Sequence, residues 1–544
     1  MVMRSVFFTL LVAAVYALAT PHAHAAGDAA ACKALSDAAH AVQFANIPDA
    51  PTTILSAKLV PKGGNGSQME SDFPEICDVE GQIAPNIGFV LRMPTATWNG
   101  KFLMGGCGGP CGQYPLDRYD TALVRNYAVV VTDMGHKGNN WLFNYNNLDA
   151  MIDFGYRSTH VTAVAAKDII ADFYGKRAAR NYFWGCSTGG RQAMVEAQRF
   201  PKDFEGILAG APVWHQTGNQ LYFSLWATRV NVGADGKPIL SSAKLPMIHD
   251  AVLAACDAID GLKDGLLQDP RKCAWDPKSI QCKGAAAPNC LTAAEADVVQ
   301  KIYDGARNSK GEKLYWGMAR GSEDQWAPIW INSDGKFGTA LGDPSGKALV
   351  MSYRSFYYAP GPGYSLFDFD YDRDPQRLEL TEGIYNAQNP DLRKFKRAGG
   401  KLILYTGWND NNIPPEAAID YYDTATRTMG GAAATTDFFR LFLMPAVNHC
   451  QNGLGGGELD WISALETWVE QGKAPEQVIA YHLTKEEYPR MDRLAGDRST
   501  RYPRHPLDPN LYDRSRPVFA YPDVAKWSGK GDPNQASTWV KARR

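Results

Sequence analysis

Residues 185–189 read Gly-Cys-Ser-Thr-Gly. A serine hydroxyl is a weak nucleophile until a base takes its proton. The pattern Gly-x-Ser-x-Gly makes a sharp strand-to-helix turn that exposes the hydroxyl, with small neighbours because the backbone crowds itself there. An apolar run, Tyr182-Phe183-Trp184, precedes this pentapeptide, and a helix-like run, Arg191 to Phe200, follows it. That context makes Ser187 a candidate nucleophile. In such a fold the acid and then the histidine follow the serine in the chain. The chain has 10 histidines. His449, just past the apolar run that begins at Phe439, is the best-placed base. His136 and His160 precede Ser187, and His215 follows it too closely. His482 lies in a strand-like run and His505 in a Pro-rich tail. The acid is expected after a strand upstream of the histidine, where Leu402-Ile-Leu-Tyr-Thr-Gly-Trp-Asn-Asp supplies Asp410. Asp420 and Asp423 fall in the helical run that follows. Asp410 would orient the imidazole and stabilise its protonated form.

Cys186 directly precedes Ser187, and Cys450 directly follows His449. If serine and histidine meet, their neighbours meet too. A disulfide between these cysteines, which tolerates Cα separations of about 4.4–6.8 Å, would tie the two loops together. An acyl-transfer site also needs donors for the developing oxyanion. The backbone N–H of Thr188 is one. The second is expected from the glycine-rich loop Gly105-Gly-Cys-Gly-Gly-Pro-Cys-Gly112, at Gly106 or Cys107. Cys107 and Cys111 are close enough in sequence to close that loop.

The elements that must carry these residues follow from the pattern. Ile87–Pro94, the run from Lys101 and the run from Tyr127 are short, β-rich and end in Gly or Pro. Ser158–Gly175 has apolar residues at helical spacing and a terminal glycine. Strands alternating with helices indicate a parallel sheet covered on both faces, an α/β core. The alternation stops near Trp214 and resumes near residue 391, across a stretch rich in Gly, Pro, Asp, Cys and aromatics. The expected organisation is a signal peptide over 1–25, a first core part over 26–213, an inserted lid domain over 214–390, and a second core part over 391–544. The last of these ends in a wrapping tail. Arg4, an apolar run and Ala23-His-Ala fit a secretory signal cleaved after export. With 10 cysteines and a net charge of −2 spread along the chain, the reading is a secreted or periplasmic protein, without nucleic-acid or membrane partners.

The motifs Gly-Cys-Ser-Thr-Gly-Gly-Arg-Gln, Gly-Trp-Asn-Asp and Asn-His-Cys, in that order, resemble the tannase and feruloyl-esterase family, which includes mono(2-hydroxyethyl) terephthalate hydrolases. The resemblance implies an α/β-hydrolase core with a large inserted lid. It also implies serine-catalysed hydrolysis of feruloyl, galloyl or related esters of small aromatic acids through an acyl-enzyme. A terephthalate monoester hydrolase is an alternative, and a non-catalytic binding module on the same fold is another. Such a module usually loses a member of the triad, and all three are present here. Together with local spacing, the resemblance favours five disulfides: Cys32–Cys77, Cys107–Cys111, Cys186–Cys450, Cys256–Cys273 and Cys282–Cys290. Asp257, Asp260 and Asp264 are spaced as solvated Asp–Gly turns or as ligands of a hard cation. The family implies structural Ca2+ in the lid, held by those three side chains and the carbonyls of Leu262 and Leu266. The aromatics of the insertion, Trp316, Trp326, Trp330, Tyr353, Phe356, Tyr357 and Tyr358, read mainly as lid core. Arg320 and Arg354 could meet a substrate carboxylate.

Overall fold

The structure, a computed structural model, describes residues 27–64, 73–235, 237–327, 331, 369–483 and 512–543. The expected signal peptide over 1–25, and Trp330, Tyr353, Arg354, Phe356, Tyr357, Tyr358 and His505, lie outside them. Nine strands form one sheet: β1 (Thr52–Val60), β2 (Ile76–Ile83), β3 (Ile87–Pro94), β4 (Lys101–Gly105), β5 (Ala128–Thr132), β6 (Arg180–Cys186), β7 (Gly206–Gly210), β8 (Lys401–Gly407) and β9 (Phe439–Met444). Their order is β1-β2-β3-β5-β4-β6-β7-β8-β9. From β5 to β9 every neighbouring pair is parallel. β1, β2 and β3 add an antiparallel edge. This is the α/β-hydrolase core expected from the sequence, extended by an antiparallel edge that the reading did not foresee.

Both faces of the sheet are buried, and the strand period of two divides their side chains. On β6, Phe183 joins one apolar cluster while Tyr182 and Trp184 join the other. The first face is covered by helix α1 (Ser158–Tyr174) and helix α2 (Thr188–Arg199). α1 stops at Gly175, whose φ of 65° takes the left-handed conformation that glycine adopts freely.

Residues 211–400, between β7 and β8, add no strand to this sheet among the described residues. They hold helix α3 (Leu245–Cys256) and helix α4 (Ala293–Asp304), the latter opened by a capping box between Thr292 and Glu295. Helix α5 (Pro415–Thr428) follows β8 and carries Asp420 and Asp423. Helix α6 (Trp461–Gln471) lies on the second face, where Trp461, Ile462, Leu465 and Trp468 are buried. The tail carries more regular structure than expected. β10 (Gln477–Leu483) pairs with β11 (Tyr512–Phe519), and β12 (Val524–Trp527) pairs with β13 (Trp539–Ala542). Pro517 within β11 and Pro522 just after it interrupt the sequence signal.

α6 is fastened to the sheet by charge. Lys101 of β4 donates to Glu466 at 2.5 Å and stands 2.6 Å from Glu470. Tyr127 donates to Glu466, and Tyr182 donates to Glu470 at 2.7 Å. Burial works against the Lys101 charge, but its bonds to the two glutamates outweigh burial and raise its pKa. For Glu470, burial pushes up, while Lys101 and Tyr182 pull further down and leave it below the usual value. A depressed carboxylate pKa adds stability above the unfolded value, which fades as pH falls through the folded one. Lys101→Met should therefore lower the stability of the fold by about 1–2 kcal/mol at pH 7, after discounting for partial exposure. The loss should shrink as the pH is brought below 4, read from paired denaturant titrations of the variant and its parent.

Candidate active site

Ser187 sits between the end of β6 and the start of α2 with φ 63° and ψ −119°. A non-glycine residue at positive φ is strained and needs support from its surroundings. Its N–H donates to Gly210 O at 2.9 Å, and its carbonyl accepts from Arg191 N at 3.0 Å. The flanking glycines are required by space. A β-carbon on Gly185 would lie 2.6 Å from the backbone of Gly189, and one on Gly189 would lie 3.0 Å from Cys107 O.

Asp410 and His449 extend from the ends of β8 and β9. Their two loops are sewn together: Trp408 N–H donates to Met444 O at 2.9 Å and Asn409 N–H to Val447 O at 3.0 Å. Asp410 is completely buried. Its Oδ1 accepts from the N–H groups of Asn412 and Ile413 at 2.8 and 2.9 Å, and its Oδ2 stands 2.8 Å from His449 Nδ1. That contact leaves Nε2 as the free ring nitrogen. The His449 side chain remains 20% exposed while that of Asp410 is sealed.

Cys186 and Cys450 are bonded, with Cα atoms 5.9 Å apart. Ser187 and His449 are each one residue from this bond, so their Cα atoms are at most about 13.5 Å apart. The other four expected disulfides are present as well, and the described residues contain no free cysteine. His160, His215 and His482 are engaged elsewhere. His160 meets Asp203 at 2.6 Å, His482 meets Asp513 at 2.7 Å, and His215 stands 3.9 Å from Glu382. His136 stacks on Phe143, with ring centres 3.5 Å apart.

The glycine-rich loop lies against the elbow, and the two N–H groups named from the sequence are both engaged within it. Gly106 N–H donates to Trp184 O at 2.9 Å, and Cys107 N–H donates to Gln192 Oε1 at 3.0 Å. Both groups named from the sequence are thus spent on holding the loop. The next N–H along, that of Gly108, takes over as the candidate. Thr188 ties the loop to the elbow through its hydroxyl, which donates to Gly109 O at 2.7 Å. Tyr119 donates to Gly106 O at 2.5 Å from the other side. Gln192 and Tyr119 are positioning residues that the sequence did not single out. Gln192 stands five residues after Ser187, where one turn of α2 brings it back under the loop.

The acidic loop binds itself. Asp257 accepts from Gly265 N at 3.0 Å, Asp260 from Leu262 N at 3.0 Å and Asp264 from Leu266 N at 3.2 Å. Arg516 of β11 pairs with Asp264 at 2.7 Å. Burial first, and then the charges of Asp264 and Asp257, push the Asp260 carboxyl up to about 6 against the pull of the Leu262 N–H. Carboxylates this close, relieved by a single arginine, suit a hard cation. Among the described residues no three Asp, Glu, His or Cys side chains converge tightly enough to hold a metal unaided. A cation here would therefore need the carbonyls of Leu262 and Leu266. In the rest of the insertion, Trp326 is completely buried and Arg320 donates to Trp275 O at 2.8 Å, both core contacts.

No described helix is long and apolar enough to cross a membrane. The model of the family "Tannase and feruloyl esterase" matches residues 72–542. The mono(2-hydroxyethyl) terephthalate hydrolase of Piscinibacter sakaiensis is 31% identical over 94% of this chain and 92% of its own. A probable feruloyl esterase B-2 of Aspergillus terreus is 31% identical over 83% and 89%. Among solved structures, an esterase from Aspergillus oryzae superposes with a TM-score of 0.79 at 25% identity, covering 94% of this chain and 99% of the other. A tannin acyl hydrolase from Aspergillus niger reaches a TM-score of 0.71 at 21% identity, over 95% and 94%, which supports the fold. A strained Gly-x-Ser-x-Gly elbow, the disulfide beside it and a family match spanning most of the chain agree: the protein belongs to the tannase and feruloyl esterase family and is a carboxylic ester hydrolase.

Proposed function

We propose that the protein hydrolyses esters of small aromatic acids through a Ser187–His449–Asp410 triad and an acyl-enzyme. The observation that carries this reading is the 2.8 Å bond between His449 Nδ1 and buried Asp410, on a loop covalently tied to the Ser187 elbow. His449 Nε2 takes the proton of Ser187 as Oγ attacks the ester carbonyl. The N–H groups of Thr188 and Gly108 receive the oxyanion. His449 then protonates the departing alcohol, and a water molecule repeats the sequence to release the acid. Asp410 fixes the ring through its bond to Nδ1.

The aromatic acyl group is read from the relatives, named for feruloyl and terephthalate esters. The insertion over 214–390 would form the lid above this site. Five disulfides fit an oxidising compartment and support export to the periplasm or beyond, with residues 1–25 as the signal. In the acidic loop, Ca2+ would be held by the side chains of Asp257, Asp260 and Asp264 and the carbonyls of Leu262 and Leu266. It would neutralise their charge and stiffen the loop.

Methyl ferulate, methyl gallate and a terephthalate monoester should be cleaved at different rates, and failure to cleave any of them would end the reading. Ser187→Ala and His449→Ala should each lower kcat by about 10^4 to 10^6 with the fold retained by circular dichroism, since each disables the same unit. The Cys186→Ala, Cys450→Ala double variant keeps the triad but frees its loops. Its kcat should fall about 10- to 100-fold at temperatures where it stays folded, because small misplacement of a base is costly. Unreduced peptide maps of the parent should show the Ser187 and His449 peptides joined. Added Ca2+ should raise the melting temperature by binding the folded state. Asp257→Ala should abolish that rise, and a parent whose melting ignores both Ca2+ and chelator would exclude the site.

A further inference from the structure

Arg118 stands beside the loop that supplies the oxyanion donor. Its Nη1 would lie only 2.6 Å from a β-carbon placed on Gly108, and its Nη2 3.4 Å from it. The guanidinium therefore covers the glycine whose N–H is the candidate donor, and the missing side chain of Gly108 is what admits it. The contact is held from several directions. The Cys107–Cys111 disulfide closes the loop, with Cα atoms 5.3 Å apart, and Cys111 N–H donates to Gly108 O at 3.0 Å. Tyr119, next in the chain to Arg118, is buried and anchored on Gly106 O. Thr188, beside the nucleophile, bonds the following loop residue, Gly109.

Arg118 is half-buried, yet no hydrogen bond or ion pair engages its guanidinium among the described residues. Other arginines of the core are compensated: Arg92 pairs with Asp78, Arg125 with Asp460, Arg157 with Asp153 and Arg516 with Asp264. A partly desolvated guanidinium without a counter-charge presents its fork of donors to whatever anion arrives, and a carboxylate matches that fork best. We propose that Arg118 is a specificity-determining residue that receives an anionic substituent of the ester, a carboxylate above all, where the substrate passes the oxyanion loop. This rests on the esterase reading and narrows it to esters that carry a free acid group.

The test compares two esters of one shape: monomethyl terephthalate, whose para group is a carboxylate, and its para-carbamoyl counterpart, which is neutral. The parent should favour the anionic ester in kcat/KM, and rising salt should erode that preference. Arg118→Gln should reduce the ratio of the two kcat/KM values about tenfold or more, in keeping with the loss of a charged hydrogen bond. Arg118→Lys should restore part of it. Gly108→Ala keeps the charge but sets a methyl group where Nη1 lies, so it should reduce the same ratio. A ratio within twofold of the parent in Arg118→Gln overturns the proposal, and so does an equal fall for both esters. If the parent cleaves neither of these esters nor methyl ferulate or methyl gallate, the esterase reading itself has failed. Cleavage of neutral esters with an insensitive ratio removes only Arg118.

Discussion

Ser187 is held at φ 63° by a backbone that has nowhere else to go. Its N–H is bonded to Gly210 O at the end of β7, its carbonyl receives the N–H of Arg191, and Cys186 is bonded covalently to Cys450. Strain of this kind costs on the order of 1–3 kcal/mol and persists only where the surroundings over-determine it. Arg191 adds to the restraint. It is completely buried in the first turn of α2 and donates to the carbonyls of Gly155 and Phe154 at 2.6 and 2.7 Å. Burial without a carboxylate partner pushes its pKa down to about 9. The carbonyl bonds and the Phe154 ring, 4.7 Å from its guanidinium carbon, are its compensation.

The acid loop is braced from the insertion as well as from the core. Asn409 donates to Gly321 O at 2.8 Å and Asn411 to Gln325 O at 3.2 Å. The guanidinium of Arg271, paired with Asp269 at 2.6 Å, lies 5.1 Å from the Trp408 ring centre. That arginine belongs to the segment closed by Cys256–Cys273, whose acidic turns are tied to β11 through Asp264 and Arg516. The tail, the acidic loop and the residue two before Asp410 are thus one connected body. The acidic loop and the loop of Asp410 are thereby joined through packed contacts.

The sequence by itself determined the elements whose signal is local. β3 runs over Ile87–Pro94 as the apolar run does, and α1 spans Ser158–Tyr174 with its terminal glycine. The same holds for Cys186 paired with Cys450, because adjacency to two residues expected to meet is itself a distance restraint. Edge strands were less legible. β1 pairs on one side only and leaves Leu55 and Leu59 exposed, so burial does not impose on it a clean alternation. β11 is continuous but contains Pro517, which hides it in the sequence.

Which N–H groups of the glycine-rich loop are engaged was beyond the sequence for a different reason. Gly106, Cys107 and Gly108 look alike as a string, since each offers one N–H. Which of them stays free depends on the parallel pairing of β4 with β6, which claims Gly106 for Trp184 O, and on α2 returning Gln192 beneath Cys107. Arg118 is the same case. Nothing in Leu116-Asp-Arg-Tyr119 separates it from the other basic residues until folding brings it onto a glycine ten residues earlier, with no counter-charge among the described residues. Residue types and their order set which groups can react. Which polar groups remain unsatisfied, and so face a substrate, is decided only when strands and helices from distant parts of the chain consume the rest, because hydrogen bonding is a competition settled by tertiary contact.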